Sequence, residues 1–505
     1  MSDFQELMSM DLESNHVSER TYERVEWAQL NNEQAGDYNA GQLSFNTQTR
    51  KSDNIVYAES VLILPMRITL AENKNLAVKN SILSLIQGVQ IDSVSGSSLV
   101  SANQSAPIIN NLKLLIDSST DFYDQNELMF AGHDKYIKAP GLYGGVEPSV
   151  TRGHATIDPL HNPALASRIC VFESLASPAV AVTVDGVTTY SRTLVAYIPL
   201  KFLSDLFAQL NFPIQNFGLK FTFNIAGVSG FSNYFPFTCP SLAAHRTLGD
   251  IDATTALPVG GGNVPGTLAE AVPAVAKPLL AIAGNATYGT GGWTAQPCIY
   301  LKTVSFTPND AEALASKIMA GYKKKLTYAV SDHFPLGQTT AQFRQIITTS
   351  SIRPTRIWAF PLPKGTLSSE ANTFPARIGP YGLKDCNIVL GGKPFYANSL
   401  RTQYELYREF KQQMMGDGVS KHRASPISFS DWTNGFNPYC FDISRSPLVK
   451  TNQSHEITIE ADAFDLVTGL PVTVYDLCVV VERLRTVVID VSAGGVAVAV
   501  RDGAD

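Results

Sequence analysis

The segment YIPLKFLSDLFAQLNFPIQNFGLKFTFNI, Tyr197 to Ile225, constrains the fold more than any other stretch of this chain. Leu194, Ala196 and Ile198 alternate with other residues and close a strand, because successive strand side chains point to opposite faces. Pro199 removes a ladder donor and stops it. Phe202, Leu203, Leu206, Phe207 and Leu210 then make one apolar stripe of a short helix. Pro213 ends the helix, Gly218 permits a turn, and Leu219, Phe221, Phe223 and Ile225 alternate again. The predicted unit is strand, plugging helix, returning strand, with the helix closing one end of a β-sandwich.

Strand periodicity dominates the rest. In SVLILPMRITL, Met66, Ile68 and Leu70 share a face, and Pro65 suggests an edge position or a bulge. SILSLIQGVQID follows, with a bend expected at Gly88, then PIINNLKLLIDSS, where Leu112, Leu114 and Ile116 share a face. AVAVTVDGVTTY carries a two-residue hairpin turn at Asp185-Gly186. A second strand-rich block starts near Cys298 with IYLKTVSF and runs to PVTVYDLCVVVERLRTVVID. Two helices interrupt it. NDAEALASKIMAGYKKK is N-capped by Asn309 or Asp310, with Lys323, Lys324 and Lys325 at its end. In NSLRTQYELYREFKQQMM, Leu400, Tyr404, Tyr407 and Phe410 share a face.

These patterns predict an all-β chain: an N-terminal arm over residues 1–45, a first sandwich over 46–230, a loop insertion or interdomain connection over 231–298, a second sandwich over 299–490 and a tail over 491–505. The arm is acidic, with Phe4, Leu7, Met8 and Leu12, and again Tyr22, Val25 and Leu30, near helical spacing. The insertion is rich in Gly, Ala, Pro and Thr. Strands do not alternate with long helices, which disfavours a parallel α/β sheet. No repeat of 40–50 residues appears, which disfavours a propeller.

At 505 residues the chain exceeds one core, and 44% hydrophobic residues suffice for two. Only 17% of residues are charged, as suits a surface partly covered by partners, and the net charge of −6 argues against nucleic-acid binding by the body. Six scattered cysteines, Cys170, Cys239, Cys298, Cys386, Cys440 and Cys478, read as buried free thiols. The N-terminus lacks the basic and apolar regions of a signal peptide, and no run spans a membrane. Synthesis in the cytosol or nucleus is expected.

Catalytic patterns are missing. GVSGF at Gly227–Phe231 does not fit a nucleophile elbow. His455-Glu456 lies in an alternating strand without a second His, and His455 reads as an exposed strand residue. His154 and His161 form the nearest pair, in a loop whose one acidic neighbour is Asp158. Gly260–Gly262 lie outside any strand-to-helix turn and cradle no phosphate. Trp27, Trp293, Trp358 and Trp432 are scattered, which weakens a sugar platform. No catalytic, cofactor or metal residue is expected, and no enzyme.

Four features together resemble the double jelly-roll major capsid proteins, the adenovirus hexon-like lineage, and within it those of polinton-like viruses and virophages. They are the Tyr197–Ile225 unit, PIINNLKLLIDSS, the closing series FDISRSP, SHEITIEADAF and VTVYDLCVVVERLRTVVID, and the plan of two β-blocks around an insertion. The resemblance spans roughly residues 50–490. It implies two upright jelly rolls, a homotrimer of six sandwiches forming a pseudo-hexagonal capsomer, and an icosahedral DNA virus. It further implies a virion location and, as partners, neighbouring capsomers, penton proteins and minor capsid or cement proteins. The insertion would face outward or form trimer contacts, and the arm would face inward or clamp neighbours. A β-sandwich protein that binds or cleaves glycans, and a minor capsid protein of the same fold, are the alternatives.

Overall fold

The structure is a computed structural model. It describes residues 22–33, 42–50, 52–70, 75–77, 81–100, 109–110, 114, 180–184, 187–225, 237–239, 279–282, 286–288, 293–319, 322–363, 381–414, 427, 429–433, 437–449, 453–466, 469–492 and 495–501. Strands account for most of them. The first half supplies β1 (Tyr22–Asn31), β2 (Gln42–Asn46), β3 (Asn54–Leu70), β4 (Asn75–Ala77), β5 (Ile86–Ser93), β6 (Ser98–Val100), β7 (Val180–Val184) and β8 (Val187–Pro199). It continues with β9 (Leu219–Ile225), β10 (Phe237–Cys239), β11 (Leu279–Ile282), β12 (Ala286–Tyr288), β13 (Trp293–Ala295) and β14 (Cys298–Phe306). One sheet has the order β1-β14-β3-β8-β7, with β11 added to β3, and the other has the order β2-β9-β5-β6.

The second half supplies β15 (Tyr322–Gln338), β16 (Gln342–Ile352), β17 (Pro354–Pro363), β18 (Tyr381–Leu390), β19 (Lys393–Pro394), β20 (Tyr439–Asp442), β21 (Ser454–Asp465), β22 (Tyr475–Ser492) and β23 (Gly495–Arg501). Its sheets are β15-β22-β17-β20, with β23 beside β22, and β16-β21-β18-β19. Among the described residues, α-helices with both ends placed are α1 (Asp205–Gln209), α2 (Pro308–Met319), α3 (Gln403–Met414) and α4 (Phe429–Thr433).

Both halves share one wiring. Eight principal strands, numbered along the chain, pair in the orders one-eight-three-six and two-seven-four-five. In the first half these are β1, β2, β3, β5, β6, β8, β9 and β14; in the second, β15 to β22. Two four-stranded sheets so connected are a jelly roll, and the chain is a double jelly roll. The all-β expectation and the tandem plan hold.

Strand pairing places the seams of the chain differently from the sequence reading. Tyr22–Asn31, expected in a helical arm, is the first strand of the first sandwich and pairs with β14 from Asn31↔Cys298 to Tyr22↔Phe306. IYLKTVSF, expected to open the second sandwich, is the eighth strand of the first, between β1 and β3. The 231–298 segment therefore departs from and returns to the first sandwich, and its β11 lies on β3. Local periodicity reveals a strand but not its partner, and the partner decides the domain. The expected tail holds β23, paired from Ser492↔Gly495 to Thr486↔Arg501.

All neighbours within each sheet run antiparallel, so connections alternate between the two ends. The long connections are those that leave β6 at Val100, β9 at Ile225, β17 at Pro363 and β19 at Pro394. Other closures are short, among them α1 and the Gly391-Gly392 turn, where both residues take positive φ.

Several local expectations are met. β7 and β8 pair antiparallel up to Val184↔Val187, as the expected hairpin requires, while Asp185 and Gly186 themselves lie outside the described residues. The register shifts between Ile86 and Gly88, an irregularity at the place where a bend was expected. Pro65 sits inside the sheet opposite Val195, yet its other side falls between the β14 pairing, which ends at Ile63, and the β11 pairing, which starts at Met66. That local gap tolerates a residue without an N–H.

Others differ. Of PIINNLKLLIDSS, the described residues Ile109, Asn110 and Leu114 are helical and buried, so strand alternation misread them. Helix α2 starts at Pro308, and Thr307 rather than Asn309 or Asp310 precedes it. Thr307 Oγ1 donates to Asp310 Oδ2 at 2.6 Å, and Pro fills the first helical position, where its missing N–H is harmless. On α3, Leu406 and Phe410 are buried and Tyr404 is exposed. Lys323, Lys324 and Lys325 lie in β15, not at a helix end. His455, expected to be exposed, is buried on β21. His154, His161, Gly227–Phe231 and Gly260–Gly262 lie outside the described residues.

Candidate functional site: the seam between the sandwiches

The opening segment folds as read, with refinements. Residues Leu200–Phe202 form a 3₁₀ turn, and α1 is capped by Ser204, whose hydroxyl accepts from Leu206 N at 3.3 Å. Leu203, Leu206, Phe207 and Leu210 are buried in the core of the first sandwich. Phe207 meets Phe221 edge-on at 5.2 Å between ring centroids. The return into β9 is held by a buried polar cluster. Tyr57 Oη donates to Phe217 O at 2.8 Å, and Thr47 Oγ1 accepts from Leu219 N at 2.8 Å. The left-handed turn falls on Asn216 at φ 60°, not on Gly218. Gly218 is needed for space, since a Cβ there would stand 2.7 Å from Gln48 Oε1 and 2.9 Å from Val94 Cγ2.

The plug does more than close its own sandwich. The apolar core around α1 continues into Leu326, Tyr328 and Val330 of β15 and Val487 and Ile489 of β22. These strands are long, 17 and 18 residues, about 55 Å of extended chain. The inner half, with Tyr475, Leu477, Val479 and Val481, lines the second sandwich. The outer half projects past it and packs against the first. Leu326 pairs with Val487, Lys324 with Ile489 and Tyr328 with Arg485, so all six side chains share one face.

Polar contacts fix that face. Leu99 O, on β6, accepts from Tyr328 Oη at 2.6 Å and from Arg485 Nη1 at 3.1 Å. Lys324 Nζ lies 4.9 Å from the centre of the Phe212 ring, just after the plug. A desolvated cation on an aromatic face contributes about 2 kcal/mol. Among the three lysines, Lys324 alone turns into the seam, while Lys323 and Lys325 stay exposed. Just inside the seam, buried Glu482 faces Arg356 at 3.5 Å.

The second sandwich has its own polar centre. Tyr439 Oη donates to Gln403 Oε1 at 3.0 Å and accepts from Leu383 N at 2.8 Å. Trp432 packs edge-on against Tyr439 at 5.3 Å, which ties α4 and α3 to β20. These groups are buried and engaged with one another, as structural groups are.

The described thiols Cys298, Cys386, Cys440 and Cys478 are free and buried, as read from the sequence. His333 Nε2 lies 2.8 Å from Cys478 Sγ. Burial pushes the Cys478 thiol well up and His333 down to about 4, so both are neutral near pH 7 and no thiolate is activated. Among the described residues, no group of three His, Cys, Asp or Glu could hold a metal ion, and no helix is long and apolar enough to cross a membrane.

His333 has a consequence for stability. Its folded pKa lies below the unfolded value near 6.5, so the unfolded chain binds more protons between pH 6.5 and 4. Stability should fall across that window by up to about 3 kcal/mol, 1.36 kcal/mol per unit. His333→Gln is expected to flatten the fall in denaturant midpoints measured from pH 7 to pH 4; an unchanged slope would assign it to other groups.

Comparison with known proteins agrees with this geometry. No family model and no curated protein matches the sequence. Among solved structures, a chain of the Sputnik virophage, determined by electron cryo-microscopy, superposes with a TM-score of 0.56 at 10% identity, covering 97% of this chain and 91% of that one. The Faustovirus major capsid protein gives 0.44 at 11% identity, covering 94% and 93%. The PBCV-1 virus capsid model gives 0.44 at 10%, covering 96% and 98%. Only the first is close enough in shape to bear on the fold, and its likeness runs along almost the whole of both chains.

Proposed function

We propose that this chain is a major capsid protein whose homotrimer forms the pseudo-hexagonal capsomer of an icosahedral DNA virus. One observation carries the reading: two sandwiches of identical wiring are fused side by side through a buried seam. Two equivalent blocks per chain, taken three times, make a six-block tile. The Sputnik likeness, to a chain of a virus particle, supports it. The role is structural and needs no reacting group. In this reading the first domain runs from Tyr22 to Phe306, α2 connects, and the second runs from Tyr322 to Arg501. The long loops are free to vary without disturbing the sheets and suit the outward surface, and the chain resides in the virion. Penton and minor capsid or cement proteins would be its further partners.

Light scattering on the purified chain tests this. Three copies of the 54.7 kDa chain give about 164 kDa, as expected of a closed cyclic trimer. A monomer at every accessible concentration would sink the proposal.

A further inference from the structure

The polar centre of the second sandwich is closed at every point but one. Tyr439 Oη, on β20, accepts from Leu383 N of β18 at 2.8 Å and donates to Gln403 Oε1 at 3.0 Å, so it bridges the two sheets and reaches α3. Gln403 Nε2 donates to Leu383 O at 2.6 Å, and Trp432 Nε1 of α4 donates to Gln403 Oε1 at 3.3 Å. Asn437, fully buried, gives its amide hydrogens to the same centre: Nδ2 donates to Tyr439 Oη at 2.8 Å and to Tyr381 O at 3.1 Å. A carbonyl only accepts, so the contact with Tyr381 O fixes which end of the amide is nitrogen. Asn437 Oδ1 is then left without a hydrogen-bond partner.

A second open valence lies in the same core. Tyr475, fully buried on β22, turns its ring between the sheets and meets Phe343 of β16 edge-on at 6.1 Å. Its hydroxyl has no hydrogen-bond partner, and neither has Nε2 of Gln338, its buried neighbour across the β15 ladder. The fully buried Cys386 thiol ties the two places together. Burial raises the Tyr439 and Tyr475 phenols, and Cys386 lies near enough to raise each further.

Buried polar groups left dry are costly, and native interiors satisfy them with bound water that makes about three hydrogen bonds. The open positions suit water. Asn437 Oδ1 needs a donor, Gln338 Nε2 needs an acceptor and Tyr475 Oη serves as either, and one small molecule supplies both roles. They do not suit a hard cation, because an amide oxygen and a phenol are too few oxygens to hold Ca²⁺ or Mg²⁺.

We infer that the interior of the second sandwich binds water at Asn437 Oδ1 and Tyr475 Oη. The water completes the network that fastens α3 and α4 to the sheets. The first sandwich provides the contrast. Tyr57 is equally buried, but its hydroxyl has Phe217 O at 2.8 Å and Thr47 Oγ1 at 3.2 Å and needs no water.

X-ray radiolytic footprinting of the full chain tests this, because a bound water is split to hydroxyl radical where it sits and oxidises the ring beside it. Tyr439 and Tyr475 should be oxidised about tenfold faster than Tyr57, which is as buried but has no bound water to split. Tyr475→Phe keeps the ring and its packing. It should lower the melting temperature by taking a partner from the water, whereas removing a dry hydroxyl would raise it. Oxidation of either ring no faster than that of Tyr57, or a melting temperature that stays or rises in Tyr475→Phe, overturns the assignment. The site lies inside one chain, so the outcome does not depend on the trimer.

Discussion

Phe207→Asp is expected to abolish soluble, trimeric protein. Phe207 is fully buried on α1, edge-on to Phe221 and 6.3 Å from the Tyr57 ring. A carboxylate there would sit among aromatic rings with no counter-charge in the shell just described. Burying an unpaired charge costs far more than losing the ring. The milder Phe207→Ala should cost about 3–5 kcal/mol through lost contacts and a cavity. Against a total stability of about 5–15 kcal/mol, that is a large share. Soluble yield and melting temperature read the effect. Because the core around α1 extends to β15 and β22, the Ala variant should also loosen the second sandwich. Unchanged melting in Phe207→Ala would mean the plug is not packed as described.

The second large effect concerns the seam. Leu326→Asp combined with Val487→Asp places two carboxylates opposite each other on paired strands, facing the plug. Like charges directly opposite are destabilising in any sheet, and here they also face an apolar surface. The seam should open while the second sandwich keeps its own core, which Tyr475, Leu477 and Val479 line with other residues. Calorimetry is expected to show one cooperative transition for the wild-type chain and two for the variant. The connection around α2 should become a site of proteolysis. A single transition shifted as a whole would show that the sandwiches remain coupled by contacts other than these. Tyr328→Phe is a finer probe: losing the 2.6 Å bond to Leu99 O should cost about 1 kcal/mol.

Much of the first sandwich was legible one segment at a time. The alternation of Leu219, Phe221, Phe223 and Ile225, the hairpin signal at Asp185-Gly186 and the stripe through Phe207 are local patterns, and local patterns survive folding. The misreadings share one cause. Val25 and Leu30 fit helical spacing loosely, but β14 offered a partner and the segment became a strand. Lys324 belonged to a basic trio, yet strand alternation turned it inward while its neighbours faced water. His455 looked exposed because nothing nearby in sequence covers it. The Ser204 cap was a readable signal, a hydroxyl residue just before a helical stripe.

The sequence by itself determined that the chain is all-β, that it holds two sandwich-sized blocks, and that α1 closes one of them. Those properties follow from side-chain period, turn chemistry and composition, which act over a few residues. Only the tertiary structure decided that Cys298–Phe306 completes the first sandwich across a long insertion. It alone showed that β15 and β22 overrun their own sandwich to build the seam. Each of these depends on which distant strand supplies the hydrogen bonds and which face it covers, and no local period encodes that choice.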